Sequence, residues 1–155
     1  MPGKVEARLK EKGISLPEAP TPAANYVPYV RTGNLVFIAG QIPISDGTVK
    51  YAGLAGQDVS VDDAYQAARL CGINIIAQAK AACGGDLDKV TRVVNLTGFV
   101  ASPASFTEHA KVLNGVSDLM VEVFGEAGKH SRAAMGAPSL PRNVTVEVAA
   151  VIETA

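Results

Sequence analysis

The strongest periodic signal in the chain lies between Ser60 and Gly84. There Ala64, Ala67, Ala68, Cys71, Ile75, Ala79 and Ala82 recur at the spacing that lines one face of a helix. Ser60 with Asp63 gives a capping-box-like start, its hydroxyl able to accept from an orphan backbone N–H. Gly84-Gly85 supplies the stop, since glycine tolerates positive φ. A second apolar set, Phe106, Val112, Leu113, Val116, Met120, Val123 and Phe124, predicts another helix, opened by Ser105 with Glu108 and ended by Gly125. Segments rich in β-branched and aromatic residues predict the strands. Tyr26–Arg31 and Asn34–Gly40 read as a hairpin joined at Thr32-Gly33; Val90–Val100 follows, interrupted by Gly98, then Ser131–Ala137 and Val144–Ile152. Asp46-Gly47 is a turn signal, and Thr48–Val59 is ambiguous. Ahead of all this, residues 3–13 predict a short polar helix with Val5 and Leu9 as its narrow contact stripe, stopped by Gly13. Pro17, Pro20 and Pro22 make Leu16–Ala24 an extended connector.

The order hairpin, helix, strand, helix, strand, strand predicts an α+β fold, with two helices packed on one face of a mixed sheet. Residues 1–25 read as an N-terminal helix and connector, and 26–155 as the domain proper. The closing strand is apolar at Val144, Val146 and Val148 and again, partly, at Ala149 and Val151. A sheet apolar on its second face needs a second cover, and with no further helix to hand another subunit is the candidate.

Composition sharpens this. The 155 residues suit one domain; 48% are hydrophobic and only 19% charged, which points to surface hidden against copies of the same chain. Net charge is −1 and the pI about 6.1, and the basic residues are scattered, so the electrostatics give nucleic-acid binding no support. Cys71 and Cys83 stand 12 positions apart on and beside one helix, too far for a disulfide, and read as structural free thiols. No apolar leader core or membrane-length run is visible, so a cytoplasmic location is expected.

The sequence lacks a phosphate-binding glycine loop, a GxSxG elbow and any His/Cys cluster with metal spacing, so no metal is expected. Of two histidines, His109 reads as a solvated or capping residue. His130 stands two before Arg132, which on a strand puts both on one face. Arg132 is the sole charge in Ser131–Leu140, and Glu147 interrupts an apolar strand. Burying an unpaired charge is costly, so either the two pair, or each points to water, or each serves a ligand. For the last case, a guanidinium fork in an apolar cleft selects carboxylic or keto acids, and a nearby carboxylate can activate water. Tyr26 could add a hydroxyl from the first strand, and Asn114 an amide from the second long helix.

The segment Gly33-Asn34-Leu35 to Gly40-Gln41-Ile42-Pro43, with Arg132, Leu140-Pro141 and Val146-Glu147, resembles the Rid/YjgF family, also labelled endoribonuclease L-PSP-like. The resemblance runs from about Tyr26 to Ile152. It implies a chorismate-mutase-like α+β fold and a homotrimer with ligand clefts between subunits. The implied activity is cofactor-free hydrolysis of enamines and imines of 2-keto acids, such as 2-aminoacrylate. It further implies Arg132 as the carboxylate-binding arginine and Glu147 as the residue positioning water. Tyr26, Asn114 and the Gly40 backbone would complete the cleft. The chain departs from the family in Ala39, where deaminase members carry serine, and Ala134, where they commonly carry cysteine. Two other activities remain open, a non-catalytic sensor of small carboxylates and an endoribonuclease.

Overall fold

The two periodic segments form the helices that organise the molecule, seen in a computed structural model that describes residues 3–22 and 24–155. Met1, Pro2 and Ala23, which fall in the expected 1–25 segment, lie outside the described residues. In chain order the elements are α1 (Lys4–Glu11), β1 (Tyr29–Thr32), β2 (Leu35–Gln41), β3 (Ile44–Ser45), β4 (Thr48–Val49), α2 (Val61–Ala82), β5 (Val90–Ala101), α3 (His109–Phe124), β6 (Ser131–Ala137) and β7 (Val146–Thr154). Helix α2 begins as its cap predicts, with Ser60 Oγ accepting from the Asp63 N–H at 3.1 Å. Helix α3 does not. It starts at His109, because the Glu108 carboxylate takes Lys111 Nζ at 2.8 Å instead of reaching back to Ser105. The residues before it close a turn, Phe106 N–H to the Pro103 carbonyl, at 3.0 Å.

The sheet has the order β1-β2-β7-β5-β6, with β5 and β6 parallel and the other pairs antiparallel. Helices α2 and α3 cover one face, completing the mixed α+β architecture that the element order predicts. The core lies between these layers, where Ile75, Ile76, Leu96, Leu113, Leu119 and Ile152 are wholly buried. Burial of each such side chain stabilises the fold by about 1.5–3 kcal/mol. Strand β5 runs straight through Gly98 rather than breaking there. The glycine serves approach, not interruption: a Cβ at Gly98 would overlap the Leu113 side chain of α3. The Asp46-Gly47 turn signal makes a tight hairpin, both residues at positive φ (52° and 75°) as a two-residue turn requires, and the ambiguous stretch from Thr48 begins with its second strand, β4. It then touches the sheet end through an Ala52–Val144 bridge.

Strand β7 divides its side chains by parity. Val146, Val148, Ala150 and Ile152 are buried under the helices, while Glu147, Ala149, Val151 and Glu153 face the other way. That second face is apolar and open: Val30, Phe37 and Met135 are 54%, 46% and 41% exposed. The N-terminal helix is tied down by Asp88, whose two carboxylate oxygens accept from the Lys4 and Val5 N–H groups at 2.9 Å each. Val5 and Leu9 are buried beneath it.

Gly98→Ala tests the approach of α3 to the sheet. Overpacking of this kind should cost about 1–3 kcal/mol in urea denaturation, and in the Gly98→Ala/Leu113→Ala double variant the combined loss should be smaller than the sum of the two single losses. Unchanged stability in the single variant would mean that Leu113 is free to move aside.

Candidate functional site

A cavity of about 330 Å³ opens where β2 ends and β7 begins. Pro20, Tyr26, Ala39, Gly40, Arg142 and Glu147 are among its lining residues. Glu147 reaches it because the parity of β7 sends its side chain away from the helices. Gly40 leaves room for the carboxylate: a Cβ there would stand 2.8 Å from Glu147 Oε2. Glu147 has no hydrogen bond or ion pair to any described residue, and burial holds its carboxyl above the ordinary glutamate pKa. Pro28, Ile42, Ile44 and Pro141 add apolar surface to the lining, and a carboxyl desolvated in this way can act as a base closer to neutral pH.

Two buried amides of α2 hold the walls. Gln78 donates to the Pro20 carbonyl at 2.6 Å, and Asn74 donates to the carbonyls of Ile42 and Ile44 at 3.0 and 3.1 Å. Both side chains are 1% exposed. The proline connector and the β2–β3 loop are thereby fixed to one helix face, with the cavity between them. The opposite rim is the Pro141–Asn143 turn, where Arg142 and Asn143 both adopt left-handed backbone (φ 57° and 59°). Such conformations cost energy outside glycine and persist where surrounding structure enforces them.

Arg132 stands elsewhere. It opens β6 on the helix side of the sheet, and its Nη1 donates to Asn114 Oδ1 at 2.9 Å and Ser117 Oγ at 3.1 Å, both on α3. No described carboxylate pairs with it. Pairing between Arg132 and Glu147 is ruled out by register. Arg132 aligns with Leu96, which points into the helix-covered core, whereas Glu147 aligns with Phe99 on the open face. Two strands across and three residues along separate their backbones by roughly 14 Å, on opposite sides of the sheet.

The expected site residues therefore fall into two groups. Tyr26, Gly40 and Glu147 share the cavity; Arg132 and Asn114 share a hydrogen bond. Tyr26 is not in the first strand, because β1 starts only at Tyr29. It sits in a bend before the strand, 56% exposed, and still lines the cavity. His130 packs on the Arg132 side as its spacing predicts, Nε2 lying 2.8 Å from Ser117 Oγ. His109 is neither free in solvent nor a cap: it stands edge-on to Phe106, with ring centroids 5.2 Å apart, and its Nε2 lies 3.5 Å from Ser102 Oγ. Cys71 and Cys83 are free and buried, and burial pushes both thiols up. Sequence reasoning missed Asn74, Gln78, Ser117 and Arg142. A signal existed for the first pair, two amides four apart in the otherwise apolar run Leu70–Ala79, and for Ser117, one turn beyond Asn114.

Residues 6–153 match the family described as "YjgF/chorismate_mutase-like, putative endoribonuclease". The chain belongs to this Rid/YjgF family. Among curated relatives, Protein TCP17 of Trypanosoma cruzi is 45% identical over 97% of this chain and 94% of its own length. Among solved structures, the protein Atu1372 from Agrobacterium tumefaciens is 50% identical, superposes with a TM-score of 0.92, and covers 97% of this chain and 92% of its own. TdcF of E. coli, solved with bound serine, is 25% identical with a TM-score of 0.64, over 89% and 94% of the two chains.

The unpaired, half-buried Glu147 makes a signed prediction. Its pKa is higher folded than unfolded, so the native state holds the proton more tightly and stability falls as pH rises through that interval. Glu147→Gln should be at least as stable as the wild type at pH 7 in urea denaturation. The difference should vanish below the ordinary glutamate pKa of about 4.3. A variant less stable at pH 7 would reveal a native partner for the carboxylate.

Proposed function

We propose that the protein hydrolyses imines and enamines of 2-keto acids, 2-aminoacrylate being the smallest example, in a cleft formed between copies of the chain. The observation that carries this reading is the state of Arg132. Its charge is held by two neutral oxygens, through Nη1 alone, and its Nε and Nη2 donors have no described partner. A guanidinium so placed offers its Nε/Nη2 edge as a fork to an incoming carboxylate.

Glu147 supplies the other half. An enamine first becomes the imine, its methylene carbon gaining a proton as the amino group loses one. Glu147, as carboxylate, then takes a proton from water as the oxygen bonds to the imine carbon, while the C=N π pair goes to nitrogen and is protonated. The resulting carbinolamine loses ammonia as the hydroxyl proton leaves and the C=O bond forms, so hydrolysis needs no oxidant or cofactor. One small substrate cannot span the 14 Å (roughly, by strand spacing) and the sheet between the two groups within one protomer. The open apolar face around Phe37 and Met135 suits burial against a second copy, and a homotrimer would bring the Glu147 cavity of one chain towards the Arg132 edge of another.

A second reading is a binding protein for small carboxylates, favoured by Ala39 and Ala134, which bring no polar side chain to the cavity wall or to the face of β6 that carries Arg132. The structure of TdcF with bound serine fits either. Ribonuclease action gains nothing from a net charge of −1.

The test generates 2-aminoacrylate from serine with a dehydratase and follows pyruvate release. The protein should accelerate it, and Arg132→Ala and Glu147→Gln should each lower kcat/KM by at least about a hundredfold, as for loss of a charged binding or general-base group. Wild-type activity should rise with pH through the raised Glu147 pKa, because the base must be ionised. Thermal stabilisation by pyruvate without any acceleration selects the binding protein instead.

A further inference from the structure

His130 links a hydrogen-bonded chain that runs from the Gly128 carbonyl through Ser117 to Arg132. Its Nδ1 lies 2.6 Å from the Gly128 carbonyl oxygen, which can only accept, so Nδ1 carries the hydrogen. In the neutral ring Nε2 is then an acceptor, and Ser117 Oγ, 2.8 Å away, must donate to it. With its proton so committed, Ser117 presents a lone pair, and Arg132 Nη1 donates into it at 3.1 Å. The other tautomer would set a ring lone pair against a carbonyl oxygen only 2.6 Å away.

The far end is rigid. Gly128 is buried so closely against α3 that a Cβ would overlap the Met120 carbonyl, which fixes the acceptor that sets the tautomer. The near end is also determined. Asn114 Oδ1 takes the second Nη1 hydrogen at 2.9 Å, so both protons on that nitrogen are used and the guanidinium plane is set. What remains outward is the Nε/Nη2 edge.

We infer that Gly128, His130 and Ser117 form a relay that orients the Arg132 guanidinium, so that His130 is a positioning residue for carboxylate binding. This rests on the reading of Arg132 as the carboxylate-binding group. A flexible arginine would lose rotamer freedom on binding; the relay removes that loss beforehand.

The probe is pyruvate, with pyruvamide, which lacks the carboxylate, as control; binding is measured by titration calorimetry, and melting temperature monitors the fold. His130→Ala and Ser117→Ala should each weaken pyruvate binding about tenfold, equivalent to about 1.4 kcal/mol, and leave pyruvamide unaffected. His130→Gln, whose side-chain oxygen can stand near the Nε2 position, should retain most of the affinity. Because the effect passes through Ser117, the double variant should be no weaker than either single one. Ring ¹⁵N–¹H correlations should show His130 protonated at Nδ1 and bare at Nε2. A proton on Nε2, additive losses in the double variant, or wild-type affinity in His130→Ala overturns the relay; if His130→Ala does not fold, the Gln variant and the ring spectrum decide. Arg132→Leu separates the two levels. If it abolishes pyruvate binding while His130→Ala does not weaken it, only the relay falls; if Arg132→Leu binds pyruvate normally, the carboxylate reading falls and takes the relay's role with it.

Discussion

The side-chain alternation of β7 is the constraint on which the rest depends. This strand lies inside the sheet, paired on both sides, so its register is fixed by two neighbours at once. Its even positions pack under α2 and α3, and a slip of one residue would drive Glu147 into that core and expel Val146 and Val148. The cost of burying an unpaired carboxylate among aliphatic side chains forbids this. Glu147 is therefore held at the cavity by the same packing that holds the fold together, and Gly40 on the adjoining strand is the space that receives it.

The cavity walls are governed by a different force. Neither the proline connector nor the β2–β3 loop has enough regular structure to place itself, and both are fixed instead by amide donors from a helix interior. Asn74 Oδ1 and Gln78 Oε1 have no described partner although both are buried. Such an arrangement sacrifices some stability in order to hold two loops at a defined separation. The left-handed turn at Arg142 and Asn143 is a second local cost on the opposite rim. Costs gathered around one cavity are what a site kept for its shape would show.

The helices and most strands were legible because burial enforces periodicity, and a long helix such as α2 repeats its signal five or six times. The start of α3 was not, since Ser105 and Glu108 make a capping pattern that Lys111 and the turn after Pro103 outcompete. Gly98 misled for a related reason: glycine in a strand marks either a break or a close neighbour, and only Leu113, fifteen residues on, decides which. At the site, Arg132 and Glu147 stood out as charges in apolar strands. That they lie on opposite sheet faces depends on strand order and register, which neither residue's local context contains. Ser117 and Arg142 escaped because a serine on a helix and an arginine in a turn are ordinary until their neighbours are known.

The company Arg132 keeps bears directly on what it can do. An aspartate in place of Asn114 would hold the guanidinium as firmly and would also neutralise it, weakening its pull on any other anion. Amide and hydroxyl oxygens fix the group while leaving its charge intact. Position and charge are thus assigned to different partners: Asn114 and Ser117 provide the first, and nothing among the described residues opposes the second. A guanidinium kept for architecture alone has no use for that separation, whereas one that must meet an acid in a set orientation requires both halves of it.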